Sequence, residues 1–134
     1  MPPRFPKAAS GPVEEHVMTT DDIVDIVGDD ALDTRDEIEI IFGNFTEVGG
    51  LTPCSQLQAL TMMKTNLLQI SNLQPVSMTL ERLCLCDQSI TRMENLQLPV
   101  LRELLLHQNS ISRIEGLDGM PHLPTHLSQA LPAD

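Results

Sequence analysis

The residues best suited to chemistry are two cysteines and a histidine in the second half of the chain. Cys84 and Cys86 stand two residues apart, and His107 follows 21 positions after Cys86. Thiolates and an imidazole are ligands that zinc accepts, and a thiol beside an imidazole can also act as a nucleophile. No fourth zinc ligand is evident, however. We therefore expect ordinary reduced cysteines, no metal ion and no cofactor, with a Cys/His metal site as the remote alternative.

Other chemical motifs are weak or missing. His122 and His126 have the spacing of two ligands on one face of a helix, but Pro124 between them disfavours that helix. The sequence has neither a glycine-rich phosphate loop nor a serine in a nucleophile elbow. It therefore predicts a protein without enzymatic activity.

Composition narrows the class of partner. The chain has 134 residues, the size of one small domain, and a formal net charge of −11. Residues 1–47 hold 12 acidic residues against 3 basic ones. An acidic chain without a basic stripe is poorly suited to nucleic acids or anionic membrane surfaces. Three cysteines, an odd number, and the lack of an apolar leader predict a reducing, cytoplasmic location.

The elements that would position these residues come from a repeated pattern of apolar positions. Three copies start at Leu57, Leu80 and Leu101, which are 23 and 21 residues apart. The repeated positions are Leu57, Leu60, Met62, Leu67, Ile70 and Leu73, then Leu80, Leu83, Leu85, Ile90, Met93 and Leu96, then Leu101, Leu104, Leu106, Ile111, Ile114 and Leu117. A unit of this size cannot bury its own leucines and must stack on its neighbours. The spacing therefore predicts an α/β solenoid.

A degenerate first copy precedes these three. Ile38 and Ile40 take its strand positions, and the matching offsets hold Phe45, Val48 and Leu51. Residues 37–41 alternate as a half-buried strand does. We thus expect about three and a half repeats over 35–123.

The flanking segments differ in composition from the repeats. Residues 1–18 lack apolar periodicity and are expected to form a disordered arm that is acidic and contains proline. A threonine at 19 or 20 can cap a helix that ends at Gly28, so 19–34 are expected to form an N-terminal cap. Prolines interrupt 124–134, which are expected to be an irregular tail.

The most regular copy supports a family resemblance. Residues 101–117 read LRELLLHQNSISRIEGL and resemble a 22-residue leucine-rich repeat. The subtype is that of a nuclear protein-phosphatase-1 regulatory subunit and of many ciliary and flagellar proteins, and the resemblance covers about two thirds of the chain. It implies a right-handed solenoid with parallel strands on the concave face and short 3₁₀ or helical turns on the convex face. It also implies a protein without catalytic activity that binds other proteins, associated with cilia or the cytoskeleton.

One family feature is altered in this chain. The resemblance implies a ladder of asparagine side chains that hydrogen-bond the turns of successive repeats. Asn109 supplies this residue in the last copy, whereas Thr65 and Gln88 replace it in the two copies before. Since glutamine is longer and should fit worse, we expect the ladder to be weak.

The strand residues that alternate with the buried positions should point outward and form the concave face. In register, Glu37, Ala59, Arg82 and Glu103 would form one row, with an Arg82–Glu103 pair. The predicted partner-binding residues are Ile41, Thr61, Met63, Arg82, Cys84, Cys86, Glu103, Leu105 and His107. This surface is apolar for a sheet that faces water, which is typical of a partner site. Alternatively, a neighbouring segment of the same chain covers it.

The sequence as a whole predicts a scaffold or adaptor that binds another protein through the concave face. It sets neither the identity of that partner nor the oligomeric state. The alternative is a truncated form or fragment of a longer repeat protein without activity of its own, because the best copy comes last and no cap is recognisable after it.

Overall fold

A computed structural model describes residues 16–113 and 115–123. Its helix and strands are α1 (Thr20–Val27), β1 (Glu37–Ile41), β2 (Ala59–Met63), β3 (Arg82–Cys86) and β4 (Glu103–Leu105). The strands form one parallel sheet in the order β1-β2-β3-β4, so each strand lies beside the strand of the next repeat. Short 3₁₀ turns at Leu32–Thr34, Gln74–Val76 and Leu117–Gly119 lie outside the sheet. The predicted solenoid is confirmed.

We call each strand and the chain that follows it a coil. Coil 1 comprises residues 37–58, coil 2 residues 59–81, coil 3 residues 82–102 and coil 4 residues 103–123. The predicted apolar positions of coils 1 to 3 are all buried, as are Leu104, Leu106 and Ile111 of coil 4. Leu117 is half-buried, and Ile114 lies outside the described residues. Fully burying a leucine contributes about 2 kcal/mol, so these layers supply most of the stability.

Two bends with left-handed backbone recur in every coil. The first follows the strand, at Phe42, Lys64, Asp87 and Gln108, with φ between 57° and 70°. The second lies at Gly50, Asn72, Asn95 and Gly116, with φ between 57° and 73°. Because non-glycine residues rarely adopt this conformation, its recurrence shows that coil 1 follows the same path as the others despite its degenerate sequence.

The N-terminal helix closes the first end of the core. Thr19 forms a capping box with Asp22, and Gly28 ends the helix in the left-handed conformation, as expected. Ile23 is fully buried against coil 1. The Thr20 hydroxyl donates to the Gly50 carbonyl over 2.9 Å, so the cap is tied to the second bend of coil 1.

The prediction of a disordered arm over 1–18 is wrong for its last three residues. The Thr46 N–H donates to the His16 carbonyl over 2.9 Å, and the Met18 N–H donates to the Glu47 carbonyl over 3.0 Å. Val17 forms a parallel bridge with Glu47, and Met18 is buried. Residues 16–18 thus extend the stack by one further segment. The rest of the predicted arm, 1–15, and the predicted tail, 124–134, lie outside the described residues.

The expectation of a weak ladder is also wrong, because Gln88 is a well-bonded buried residue. Its Oε1 accepts from the Thr65 N–H over 3.2 Å, the Thr65 hydroxyl over 3.0 Å and the Leu67 N–H over 3.0 Å. Its Nε2 donates to the Met62 carbonyl over 2.8 Å. The extra methylene lets the glutamine reach into coil 2 and bond the threonine that stands there.

Asn109 makes the equivalent contacts one coil later. Its Oδ1 accepts from the Ile90 N–H over 3.1 Å, and its Nδ2 donates to the Leu85 carbonyl over 2.8 Å. Leu67 and Ile90 are equivalent in the repeat, as are Met62 and Leu85, so glutamine and asparagine satisfy the same backbone groups. Since buried backbone groups must be paired, these amides fasten coil 3 to coil 2 and coil 4 to coil 3.

A second ladder was missed by the sequence reading. The Asn72 Nδ2 donates to the Val48 carbonyl over 2.8 Å, and the Asn95 Nδ2 donates to the Ile70 carbonyl over 2.7 Å. Both asparagines occupy the second left-handed bend, where asparagine is tolerated. These two bends therefore also tie coil 2 to coil 1 and coil 3 to coil 2.

Replacing Gln88 with leucine tests the first ladder. The variant Gln88→Leu keeps the volume but leaves the Leu67 and Thr65 N–H groups and the Met62 carbonyl without this partner. We expect the free energy of unfolding to fall by about 2–4 kcal/mol, measured by urea denaturation followed by circular dichroism. The control Gln56→Leu makes the same change at an exposed residue and should change it by about 0.5 kcal/mol or less. Equal stability of the two variants would show that Gln88 does not fasten the coils.

Two glycine variants test how closely the start of α1 packs against coil 1. Gly50 and Gly28 both have left-handed backbone, so Gly→Ala carries a similar conformational cost of about 1 kcal/mol at each. A Cβ at Gly50 would also lie 2.4 Å from Thr19 C and Thr20 N, whereas one at Gly28 meets nothing within 4 Å. We expect Gly50→Ala to lower the melting temperature clearly more than Gly28→Ala. Equal shifts would contradict this packing of α1.

Candidate functional site

The concave face is built from the outward residues of four strands in register. Glu37, Ala59, Arg82 and Glu103 align as the first predicted row, and Glu39, Thr61, Cys84 and Leu105 as the second. Ile41, Met63 and Cys86 align in the third row. The Asp87 N–H donates to the His107 carbonyl over 3.1 Å, which carries the same stacking into coil 4. The predicted first row is therefore confirmed.

The predicted site residues differ in how far they reach solvent. Ile41, Arg82, Glu103 and His107 are exposed. Thr61, Met63, Cys84 and Leu105 are half-buried, and each presents part of its side chain. These eight residues are therefore all at least partly accessible to solvent.

Cys86 was predicted to be exposed on the concave face, but it is buried. It lies on the predicted face but is only 4% exposed. Its short side chain lies in an inner strand beside Met63, its partner in register, and the Cys84 thiol donates towards its sulfur over 3.3 Å. Ala59 is buried for a similar reason, since its methyl group lies between Glu37 and Arg82 in the same row. Both residues therefore support the face rather than form its outer surface.

The electrostatics of Cys86 favour a protonated thiol. Burial, the hydrogen bond and charge of Cys84 and the nearby Asp87 carboxylate all raise the pKa of Cys86 and the His107 backbone lowers it, which together bring it to about 12. Burial also raises the pKa of Cys54 in the core. A nucleophilic or metal-binding cysteine needs the opposite shift.

The described side chains do not form a cluster of metal ligands. Across residues 16–113 and 115–123, no three side chains among the histidines, cysteines and acidic residues come close enough together to hold a metal ion. His126, one half of the predicted histidine pair, lies outside this part of the chain. The described thiols are all free, at Cys54, Cys84 and Cys86.

The predicted ion pair on this face is present. Arg82 Nε lies 3.9 Å from Glu103 Oε1 on the neighbouring strand. Both side chains are at least half exposed, so the pair contributes about 0–1 kcal/mol to stability. Its main effect is to neutralise Arg82, which leaves the carboxylates of β1 as the unbalanced charge in the first two rows.

Phe42 is a surface residue that the sequence reading missed. It is 68% exposed, and its φ of 70° is unusual for a bulky side chain. Lys64 Nζ lies 5.3 Å from the centre of its ring. The equivalent positions in the other coils hold Lys64, Asp87 and Gln108, so an aromatic residue at a polar bend was the available signal. Strain of this kind is often kept at functional sites.

Apolar side chains on the concave face and in the bend that follows β1 form an apolar patch. We use this name for Ile41, Phe42, Met63 and Leu105. Ile41 is 42% exposed and lies beside Met63 in register, and the two concave-face cysteines connect Met63 to Leu105 across β3. Within the described residues, no segment covers Phe42 or Ile41.

Comparisons with known proteins identify no relative of this chain. No family model, no curated protein and no solved structure matches this chain. The leucine-rich repeat resemblance therefore stays a prediction from the quoted residues, while the solenoid architecture stands on the structure. Among the described residues, no helix is both long and apolar enough to span a bilayer.

The raised thiol pKa values predict a loss of stability in alkali. An unfolded cysteine releases its proton near its ordinary pKa of 9.0, whereas folded Cys86 holds it to about 12. The free energy of unfolding should therefore fall as the pH rises from about 9 towards 12, by up to about 1.4 kcal/mol per pH unit for this thiol. Cys86→Ala should reduce this slope in reducing urea titrations, and part should remain because of Cys54. An unchanged slope would contradict the assigned burial.

Proposed function

We propose that this protein is a non-enzymatic interaction module that binds a partner protein through the apolar patch and the polar residues around it. The observation that carries the proposal is that Ile41 and Phe42, at the end of β1 and in the bend after it, are exposed, with the half-buried Met63 beside Ile41 in register. Exposed apolar groups that adjoin one another usually mark a contact surface. Aromatic residues and methionine are also enriched at the centres of protein interfaces.

The architecture supports this function over catalysis. The concave side of a stacked solenoid is open and extended, which suits a protein segment better than a small substrate. The raised pKa of Cys86 disfavours a thiolate nucleophile there. We therefore propose no enzymatic activity and no metal or cofactor requirement.

The resemblance to leucine-rich repeat proteins suggests the setting of this interaction. We propose a cytoplasmic scaffold or adaptor, associated with cilia or the cytoskeleton as members of that subtype are. The net charge of −11 disfavours nucleic acids and anionic membranes as the bound partner.

Two charged substitutions test the apolar patch. Aspartate at Met63 and Leu105 places carboxylates where an apolar partner surface would have to exclude water. We expect M63D/L105D to lose the bound proteins that the immobilised full chain captures from a cell lysate, with affinity reduced by about tenfold or more. Captured proteins are identified by mass spectrometry and compared between wild type and variant.

A matched control separates contact from folding. Leu68 and Met78 are exposed apolar residues that lie outside the strands, so L68D/M78D adds the same charge away from the patch. This control should capture the same proteins as wild type, and both variants should keep a cooperative thermal unfolding transition. If M63D/L105D unfolds cooperatively and still captures those proteins, the concave face is not the binding surface.

A further inference from the structure

The charges beside the apolar patch indicate what kind of partner it fits. The outward side chains of β1 are Glu37, Glu39 and Ile41, and Phe42 follows them. One edge of the concave face thus runs from two carboxylates to two exposed apolar side chains. At about 3.3 Å per residue, this change takes place within about 15 Å, the reach of a short peptide segment.

The two glutamates are not neutralised within the described residues. Arg82 forms its ion pair with Glu103, and the Lys64 ammonium group lies over the ring of Phe42. Neither Glu37 nor Glu39 forms an ion pair in the described part of the chain, and both are exposed. As outward residues two apart on one strand, they lie about 6–7 Å from one another, so each raises the local negative potential that the other experiences.

An open cleft continues this negative region at the edge of the sheet. It is lined by Val27 of α1 and by Arg35, Asp36, Glu37 and Glu39. Three carboxylates therefore face one guanidinium group there. A cationic side chain from a partner could contact the glutamates from solvent, and its approach would be favoured by the acidic chain as a whole.

We propose that the concave face binds a basic, apolar protein segment, with lysine or arginine side chains against Glu37 and Glu39 and apolar side chains on the patch. This inference rests on the proposed function. It adds the chemistry of the partner segment and the direction in which that segment lies along β1. Acidic and neutral apolar segments would leave the β1 carboxylates without a counter-charge. The charge on β1 thereby selects among partners that the patch alone would accept.

A peptide selection tests the inference on the full chain. Phage-displayed random peptides are selected on the immobilised protein and counter-selected on M63D/L105D. We expect the retained peptides to combine leucine, isoleucine, phenylalanine or methionine with an excess of lysine and arginine over the library. Their affinity should fall as salt rises, because exposed charges are screened.

Charge-matched variants then locate the basic contacts. E37Q/E39Q should weaken the selected peptides by about three- to tenfold, the size expected of two exposed ion pairs. D21N/D118N removes the same charge from α1 and from the last 3₁₀ turn, and should leave the affinity unchanged.

The outcomes separate this inference from the proposed function. Selected peptides that are neutral or acidic, or that bind E37Q/E39Q as tightly as wild type, would overturn the basic partner and leave the apolar patch in place. If E37Q/E39Q instead makes the chain self-associate with peptide affinity unchanged, the glutamates protect the sheet edge and the inference is wrong. If no peptide prefers wild type to M63D/L105D, the proposed function fails as well.

Discussion

No coil of this protein can bury its apolar side chains by itself, and every other feature follows from that constraint. A strand such as β2 has Leu60 and Met62 covered only because β1 and β3 lie on either side, about 4.8 Å away. The parallel register places Leu60 beside Ile38 and Leu83, so equivalent residues form continuous columns through the core. The same register places the outward residues in rows, and the concave face exists only as a product of this stacking.

Polar groups inside the stack make the spacing specific. Apolar columns alone would tolerate a shift of one coil along another by two residues, because the same side chains still point inward. The amide of Gln88, in contrast, meets particular backbone groups of coil 2, and Asn72 and Asn95 meet particular backbone groups at the second bend. A slip of two residues would leave these donors and acceptors unpaired, which costs about 1–3 kcal/mol for each buried group. The ladders therefore hold the concave rows in alignment and fix the positions of the patch residues.

The strands and the outward rows could be predicted from the sequence because they depend on alternation, which is local. The apolar period also located the core of the degenerate first coil. The bonds of Gln88 could not be predicted, because its fit depends on a threonine 23 residues earlier that stands directly beneath it. The burial of Cys86 depends on the heights of neighbouring side chains, and the exposure of Phe42 depends on a left-handed bend. Such properties arise between coils, and composition or periodicity does not encode them.

Binding through the concave face requires that the coils behave as one rigid body, and native-state hydrogen exchange in increasing urea measures this most directly. The informative amides are those of β2 and β3 and the ladder-bonded N–H groups of Leu67 and Ile90. We expect them to exchange through one common opening whose free energy equals that of global unfolding. If coil 2 and coil 3 open separately, at different free energies well below the global value, the coils are not held together and the concave face is not a preformed surface.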